Sequence, residues 1–124
     1  APAEHDVSTE QRQAAEARGR LAETLAALRL RLAGYAILAR RERNPAGEID
    51  LIARRGRTVA FVEVKARASP EPEGPVSARQ WARIGRAAEL FLARRRDLAT
   101  CDVRCDLMLV GWLWPRHVPD AWRP

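Results

Sequence analysis

Residues 48–67, EIDLIARRGRTVAFVEVKAR, decide the fold of this chain. Two runs rich in apolar and β-branched residues, 48–54 and 58–67, flank a short turn around Gly56, a pattern typical of a β-hairpin. Side chains alternate across a strand, so one face of the hairpin is apolar throughout. That face is predicted to be buried, and it comprises Ile49, Leu51, Ala53, Ala60, Val62 and Val64.

The other face of the hairpin is apolar near the turn and charged at its far end. Glu63 and Lys65 share this face because they lie two residues apart on one strand. Two turn registers are open: one sets Asp50 opposite Phe61, and the other, with a four-residue turn, sets Asp50 opposite Glu63. Both registers bring Asp50, Glu63 and Lys65 within about 5 to 8 Å of a neighbour on the same face.

Carboxylates crowded on one sheet face repel each other and need a compensating cation. Asp50 and Glu63, with Glu48 nearby, form such a group. Mg²⁺ suits them, with Mn²⁺ as a substitute, because this hard ion binds through one or two carboxylates and keeps several waters. The alternative is a surface ion pair between Glu63 and Lys65 beside a solvated Asp50.

Lys65 is the only lysine in the chain, whereas arginine supplies 21 of the 22 basic residues. Wherever a generic positive charge is tolerated, this sequence uses arginine. A compact ammonium can do what a wide, permanently charged guanidinium cannot. This bias indicates a specific role for Lys65, and chance survival of one lysine is the alternative.

Helix and strand patterns alternate around the hairpin. Leucines spaced by 4, 3 and 4 residues and a capping box at Ser8 and Gln11 predict a helix over 8–33, after a loose arm over 1–7. A second capping box, at Ser77 and Gln80, predicts a helix over 77–96. Further strands are predicted over 35–41, 103–112 and 117–122. This order predicts one α/β domain, residues 8–124, with a mixed β-sheet flanked by α-helices.

Length and composition agree with a single domain. The chain has 124 residues, of which 47% are hydrophobic and 31% charged, enough apolar material to fold one core. No apolar run is long enough to cross a membrane, and the first residues lack the pattern of a secretory signal, so a cytoplasmic location is expected. The net charge of +6 makes nucleic acid a reasonable partner, and an arginine-rich coding bias is the alternative.

The hairpin motifs resemble a known family. GEIDLI at residues 47–52, followed by FVEVKAR at 61–67, is similar to the YraN-like family of small bacterial endonuclease-like proteins. The similarity extends to GRLAETLAA at 19–27 and HVPDAW at 117–122. It implies the restriction-endonuclease-like fold of the PD-(D/E)xK nuclease superfamily, and a likeness to archaeal Holliday-junction resolvases.

The resemblance also implies roles for individual residues. Asp50 and Glu63 match the superfamily's metal-binding carboxylates, with the Val64 carbonyl as a further ligand. Lys65 matches the lysine that orients or activates the attacking water. Glu23 matches an acidic residue of the first helix that helps some relatives to bind metal or water, and a solvated helix position is its alternative.

Several positions keep two interpretations. Glu48 is either a ligand or a structural hydrogen bonder, and Gln80, where many family members carry a lysine, either faces the site or only caps its helix. The tryptophans at 112, 114 and 122 either stack on bases or pack in a core or interface, the commoner role. The predicted nucleic-acid-binding residues are Arg54, Arg55, Arg57 and Arg67, and Arg40, Arg41 and Arg43 could extend that surface.

These observations predict a Mg²⁺-dependent endonuclease that cleaves phosphodiester bonds, with branched or structured DNA as the expected substrate. The alternative is a nucleic-acid-binding or assembly module that kept the fold and lost turnover. A homodimer would suit an enzyme that cuts two strands.

Overall fold

A five-stranded β-sheet with a helix on each face forms the protein. The computed structural model describes residues 2–66, 75–111 and 113–124, and for residues 2–8 the backbone alone. The elements are α1 (Pro2–Leu32), β1 (Ala36–Asn44), β2 (Gly47–Arg55), β3 (Thr58–Lys65), α2 (Ala78–Ala93), a 3₁₀ turn (Arg96–Leu98), β4 (Asp102–Leu109) and β5 (Arg116–Trp122). No helix among the described residues is long and apolar enough to cross a membrane.

The strands lie in the sheet in chain order, β1-β2-β3-β4-β5. All neighbours are antiparallel except β3 and β4, which are parallel. Parallel neighbours require a long crossover, and α2 supplies it. The predicted mixed α/β domain is therefore confirmed, and its architecture is consistent with the restriction-endonuclease-like fold.

Each helix buries one face of the sheet. On the α1 face, Ala26 and Leu30 of the helix pack against Leu51, Ala60 and Val62. The α2 face holds a second cluster, which includes Ile52, Val59, Phe61, Trp81, Ile84 and Phe91. The charged end of the hairpin therefore lies at the margin of two cores that hold its strands in place.

The start of α1 and the end of α2 differ from their predicted positions. α1 begins at Pro2 and not at Ser8, because a proline is compatible with the first helical turn and no breaker follows it. Ser8 consequently lies inside the helix and not at its start, while the mobility of residues 1–7 stays a prediction. α2 does begin after Ser77, whose hydroxyl accepts a hydrogen bond from the Gln80 amide at 3.2 Å. It ends at Ala93, three residues earlier than expected.

A buried polar network, absent from the sequence analysis, ties β4 to β5 and to the start of β1. Asp106 is fully buried and receives both a bidentate pair of bonds from Arg104, each 2.7 Å, and a 2.7 Å bond with His117 Nε2. Burial alone would raise the pKa of the Asp106 carboxyl, but bonds from His117 and Arg104 outweigh it and hold that pKa below its ordinary value. Arg104 Nη2 also donates to Tyr35 Oη at 2.6 Å.

Tyr35→Phe should lower the free energy of unfolding by about 1.5 kcal/mol, the typical contribution of a hydrogen bond to a charged group. The substitution removes only the hydroxyl that accepts from Arg104 and keeps the ring, over which the Arg55 guanidinium lies at 4.5 Å. Urea unfolding measures the difference, and Tyr35→Ala, which also removes the ring, should cost more. An unchanged midpoint in Tyr35→Phe would show that the hydroxyl does not stabilise the network.

Candidate metal and catalytic site

The register of the hairpin decides which charged groups meet. Leu51 pairs with Val62, and the pairing continues to the turn, where Arg55 pairs with Thr58. Gly56 and Arg57 form the turn, and Gly56 has a φ of +61°, which a two-residue hairpin turn demands of its first residue. Extended by one step, this register sets Asp50 opposite Glu63. Of the two predicted registers, the one that sets Asp50 opposite Phe61 is wrong.

The paired ladder between β2 and β3 ends at Leu51 and Val62, and the Asp50 side chain takes over beyond it. Its Oδ2 accepts a hydrogen bond of 2.8 Å from the main-chain amide of Val64. This bond fixes the carboxylate at the point where the two strands stop pairing. Asp50 is half-buried, so one side of its carboxylate stays accessible.

The alternation of side chains along β2 breaks at Asp50. Ile49 packs in the cluster on the α2 face, whereas Leu51 packs on the α1 face together with Ala53. The prediction that Ile49 shares a face with Leu51 is therefore wrong. The residue of β1 that lies across from Asp50 is Arg41, which has a φ of +51°. Such strained conformations of non-glycine residues cluster at functional sites.

Glu63 is buried beside Asp50, with a relative exposure of 7%. Desolvation, followed by the charge of Asp50 and a side-chain hydrogen bond with it, raises the pKa of Glu63 to about 8. Glu63 is therefore mostly protonated at neutral pH. Glu63 is not at the surface, so the surface ion pair considered for it does not describe this residue.

Lys65 lies at the open side of the carboxylate pair, as the shared strand face predicts. Its Nζ is 3.8 Å from Glu63 Oε1, and 32% of its side chain is exposed. The lysine is thus close enough to influence Glu63, whose pKa it lowers against the stronger effects of burial and Asp50. It still reaches solvent, where a substrate would arrive.

Glu23 of α1 is held by Arg41. The Arg41 Nε donates to both carboxylate oxygens of Glu23, at 2.8 and 3.1 Å, and the Glu23 side chain is only 12% exposed. A solvated helix position therefore does not describe Glu23. Arg41 links Glu23 to the strand position opposite Asp50, a connection that no sequence pattern signals, because a left-handed backbone at an arginine leaves no mark in composition or spacing.

Glu48 and Gln80 have other contacts in the structure. Glu48 is exposed and pairs with Arg43, whose Nη2 lies 3.2 Å from its Oε2. Its charge also raises the pKa of Glu63, but less than burial and Asp50 do. The Gln80 amide is capped by Ser77. A direct role of Glu48 or Gln80 in the site stays a prediction.

Three of the arginines predicted to bind nucleic acid, Arg54, Arg55 and Arg57, lie at the other end of the hairpin. Arg55 lies five residues after Asp50, roughly 17 Å away along the strand. Each of the three donates to a main-chain carbonyl: Arg54 to Gly56, Arg55 to Ala33 and Arg57 to Thr100, at 3.0, 3.0 and 3.3 Å. Arg67 lies outside the described residues. The structure does not bring these arginines to the carboxylates, and their contact with DNA stays a prediction.

The oxygen donors at this end of the sheet fit a hard divalent cation. Within residues 9–66, 75–111 and 113–124, no group of three or more His, Cys, Asp and Glu residues could hold a metal ion. Among these residues, only two carboxylates, those of Asp50 and Glu63, are left as candidate side-chain ligands. The Val64 carbonyl is a predicted third ligand. Two carboxylates and several waters are what Mg²⁺ commonly takes in proteins.

Comparison with known proteins places the chain in a family. The model of the uncharacterised protein family UPF0102 matches residues 22–110, which include all of the elements from the end of α1 to β4. The chain belongs to the UPF0102 family. The resemblance to YraN-like proteins is thereby confirmed, because they are members of UPF0102. The matched segment contains Glu23, Asp50, Glu63 and Lys65.

Individual UPF0102 proteins are similar over most of their length. A UPF0102 protein of Paramagnetospirillum magneticum is 56% identical over 117 residues, which cover 90% of this chain and 91% of the relative. One of Parvibaculum lavamentivorans is 53% identical over 112 residues, covering 86% and 81%. One of Rhizobium meliloti is 51% identical over 106 residues, covering 84% and 87%. These names state no activity.

Proposed function

We propose that this protein is a Mg²⁺-dependent nuclease that hydrolyses phosphodiester bonds in branched or structured DNA. The observation that carries the proposal is the half-buried Asp50 beside the buried Glu63, with the chain's only lysine 3.8 Å from the Glu63 carboxylate. Burying two carboxyl groups side by side costs stability. A binding or assembly module without turnover has no use for such an arrangement, and this favours the enzyme.

In the proposed mechanism each residue has one task. Asp50, oriented by the Val64 amide, and Glu63 would hold Mg²⁺, which supplies positive charge to the phosphate and to the attacking water. Glu63 must first release its proton, because only the carboxylate form is a ligand. Lys65 would orient the attacking water from the exposed side of the pair. Glu23, held by Arg41, would bound the site on the α1 face.

The charge of the chain supports nucleic acid as the substrate. Its net charge is +6, because its 22 basic residues outnumber its 16 acidic residues. Incubation with linear, flapped and four-way DNA in Mg²⁺ or Mn²⁺ tests the proposal. We expect cleavage of the branched DNAs. Binding of DNA and metal without cleavage of any of them would favour the module without turnover.

Millimolar Mg²⁺ or Mn²⁺ should raise the melting temperature by several degrees, because a ligand that binds only the native state stabilises it by mass action. Asp50→Asn should abolish this rise, since it removes one of two carboxylate ligands. Asp102→Asn, at the exposed start of β4, is the matched control and should keep the rise. An equal rise in Asp50→Asn would refute the site. Differential scanning calorimetry measures the melting temperatures of the wild type and the two variants.

A further inference from the structure

The tryptophans near the end of the chain take two different environments. Trp122 packs in the cluster on the α2 face, where its ring stacks on Trp81 with a centroid distance of 6.2 Å and an interplanar angle of 6°. Trp114 is 55% exposed, and the preceding Leu113 is 73% exposed. Trp112 lies outside the described residues. Core packing thus explains Trp122 and leaves the exposure of Trp114 unexplained.

The loop that carries Trp114 begins beside Lys65. Leu109 of β4 pairs with Lys65 on one side and with Arg116 of β5 on the other. The Val110 amide, the first after β4, donates to the Lys65 carbonyl at 2.8 Å. Two strand spacings separate Lys65 from Arg116, about 10 Å between their Cα atoms. Trp114 precedes Arg116 by two residues and so lies at the same end of the sheet as the carboxylate pair.

The loop is anchored at both ends. Val110 is buried and bonded to β3, and Pro115, immediately after Trp114, is buried as well. A proline fixes its own φ and restricts the residue before it. Trp114 is therefore presented outward from a constrained backbone. Holding a large aromatic ring in water is unfavourable, since burying it would stabilise the protein.

Two basic residues, Lys65 and Arg116, lie at the same end of the sheet as this ring. Arg116 is exposed and lies two residues from Val118, which packs on the α2 face, so both point to that side of the sheet. Lys65 shares that side with Phe61 for the same reason. An exposed aromatic ring at the same end of the sheet as two cations matches a nucleotide, whose base stacks while its phosphates face the cations. Positive charge beside the ring gives no such match to a second copy of this chain, whose net charge is also +6.

We propose that Trp114, with Arg116 beside it, is a stacking platform for an unpaired base next to the phosphate that a metal ion at Asp50 and Glu63 would hold. This inference rests on the proposed function, which it deepens by naming the feature of DNA that is recognised. Bases in an intact duplex are stacked on their neighbours and offer no free ring face. The platform therefore selects flaps, single strands and branch points over linear duplex.

The test measures stacking and affinity without cleavage. A flap and a matched duplex, each with 2-aminopurine at the position to be tested, are titrated in EDTA with the wild type, Trp114→Ala, Trp114→Phe and the neighbouring control Leu113→Ala. We expect quenching of the flap probe by the wild type, and a roughly 5- to 150-fold loss of flap affinity in Trp114→Ala with duplex affinity unchanged within about twofold. Trp114→Phe should keep most of the affinity, and Leu113→Ala should behave as the wild type.

Equal losses on flap and duplex in Trp114→Ala, or no loss on either, would overturn the platform. A change of oligomeric state in Trp114→Ala, seen by light scattering, would also overturn it, because the ring would then cover a second copy. The outcomes separate this inference from the proposed function. Quenching with no cleavage of any DNA in Mg²⁺ would refute the nuclease alone, while cleavage with unaltered flap preference in Trp114→Ala would refute the platform alone.

Discussion

Lys65→Met should reduce the rate of DNA cleavage by about 10²- to 10⁴-fold, the usual contribution of one positioned proton-transfer group. The ammonium lies 3.8 Å from Glu63 Oε1. Methionine preserves most of the apolar stem of the side chain. Folding and DNA binding should therefore persist. Single-turnover cleavage at saturating Mg²⁺, with circular dichroism for the fold, measures the effect.

Lys65→Arg is the sharper companion to this experiment. It keeps the positive charge, but a guanidinium is wider and does not give up its proton at neutral pH. We expect it to recover little of the lost rate. A rate close to that of the wild type would mean that any cation suffices, and that the single lysine among 22 basic residues is an accident of composition.

Glu63→Gln should stabilise the metal-free protein above pH 8 while abolishing its response to Mg²⁺. Burial and Asp50 raise the pKa of Glu63 from 4.5 to about 8, so the folded state favours the protonated form. The stability due to this proton is complete below pH 4.5 and is lost as the pH rises through 8. Each pKa unit corresponds to about 1.4 kcal/mol, so the loss amounts to several kcal/mol. Glutamine stays neutral at every pH, so Glu63→Gln avoids this loss of stability.

Urea unfolding in EDTA at pH 5, 7 and 9 measures this difference between Glu63→Gln and the wild type. The gain in free energy of unfolding should be small at pH 5 and largest at pH 9. Glu89→Gln, at an exposed position of α2, is the matched control and should show no such pH dependence. Parallel curves for Glu63→Gln and the wild type would contradict the raised pKa of the buried Glu63.

Much of the fold follows from local pattern. The alternation of EIDLIAR and TVAFVEVK predicts a hairpin, and the spacing of Glu63 and Lys65 predicts that both lie on one face, because the two-residue period of a strand is a property of its backbone. The helix after Ser77 is equally local, since its cap is a single hydroxyl that accepts from an amide three residues on. Local rules failed at Pro2, where a permissive first turn extended α1.

The candidate site was only partly predictable, because local sequence patterns do not set the contacts between its strands. Sequence spacing indicates that Asp50, Glu63 and Lys65 come together, but it does not choose between hairpin registers, which depend on which residues pair across the turn. Nor does it reveal that the turn arginines point away from the carboxylates, toward carbonyls of Gly56, Ala33 and Thr100.

By itself, the sequence determined the elements, their order and the identity of the acidic and basic groups that β2 and β3 carry. The tertiary structure alone decided the burial of Glu63 under the combined cover of strands and helices, the reversal of alternation at Asp50, and the enclosure of Asp106 by Arg104 and His117. These features arise from contacts between residues far apart in the chain. A local period cannot encode them, because a pKa, a strained φ and a buried hydrogen bond each depend on what the rest of the molecule places around the group.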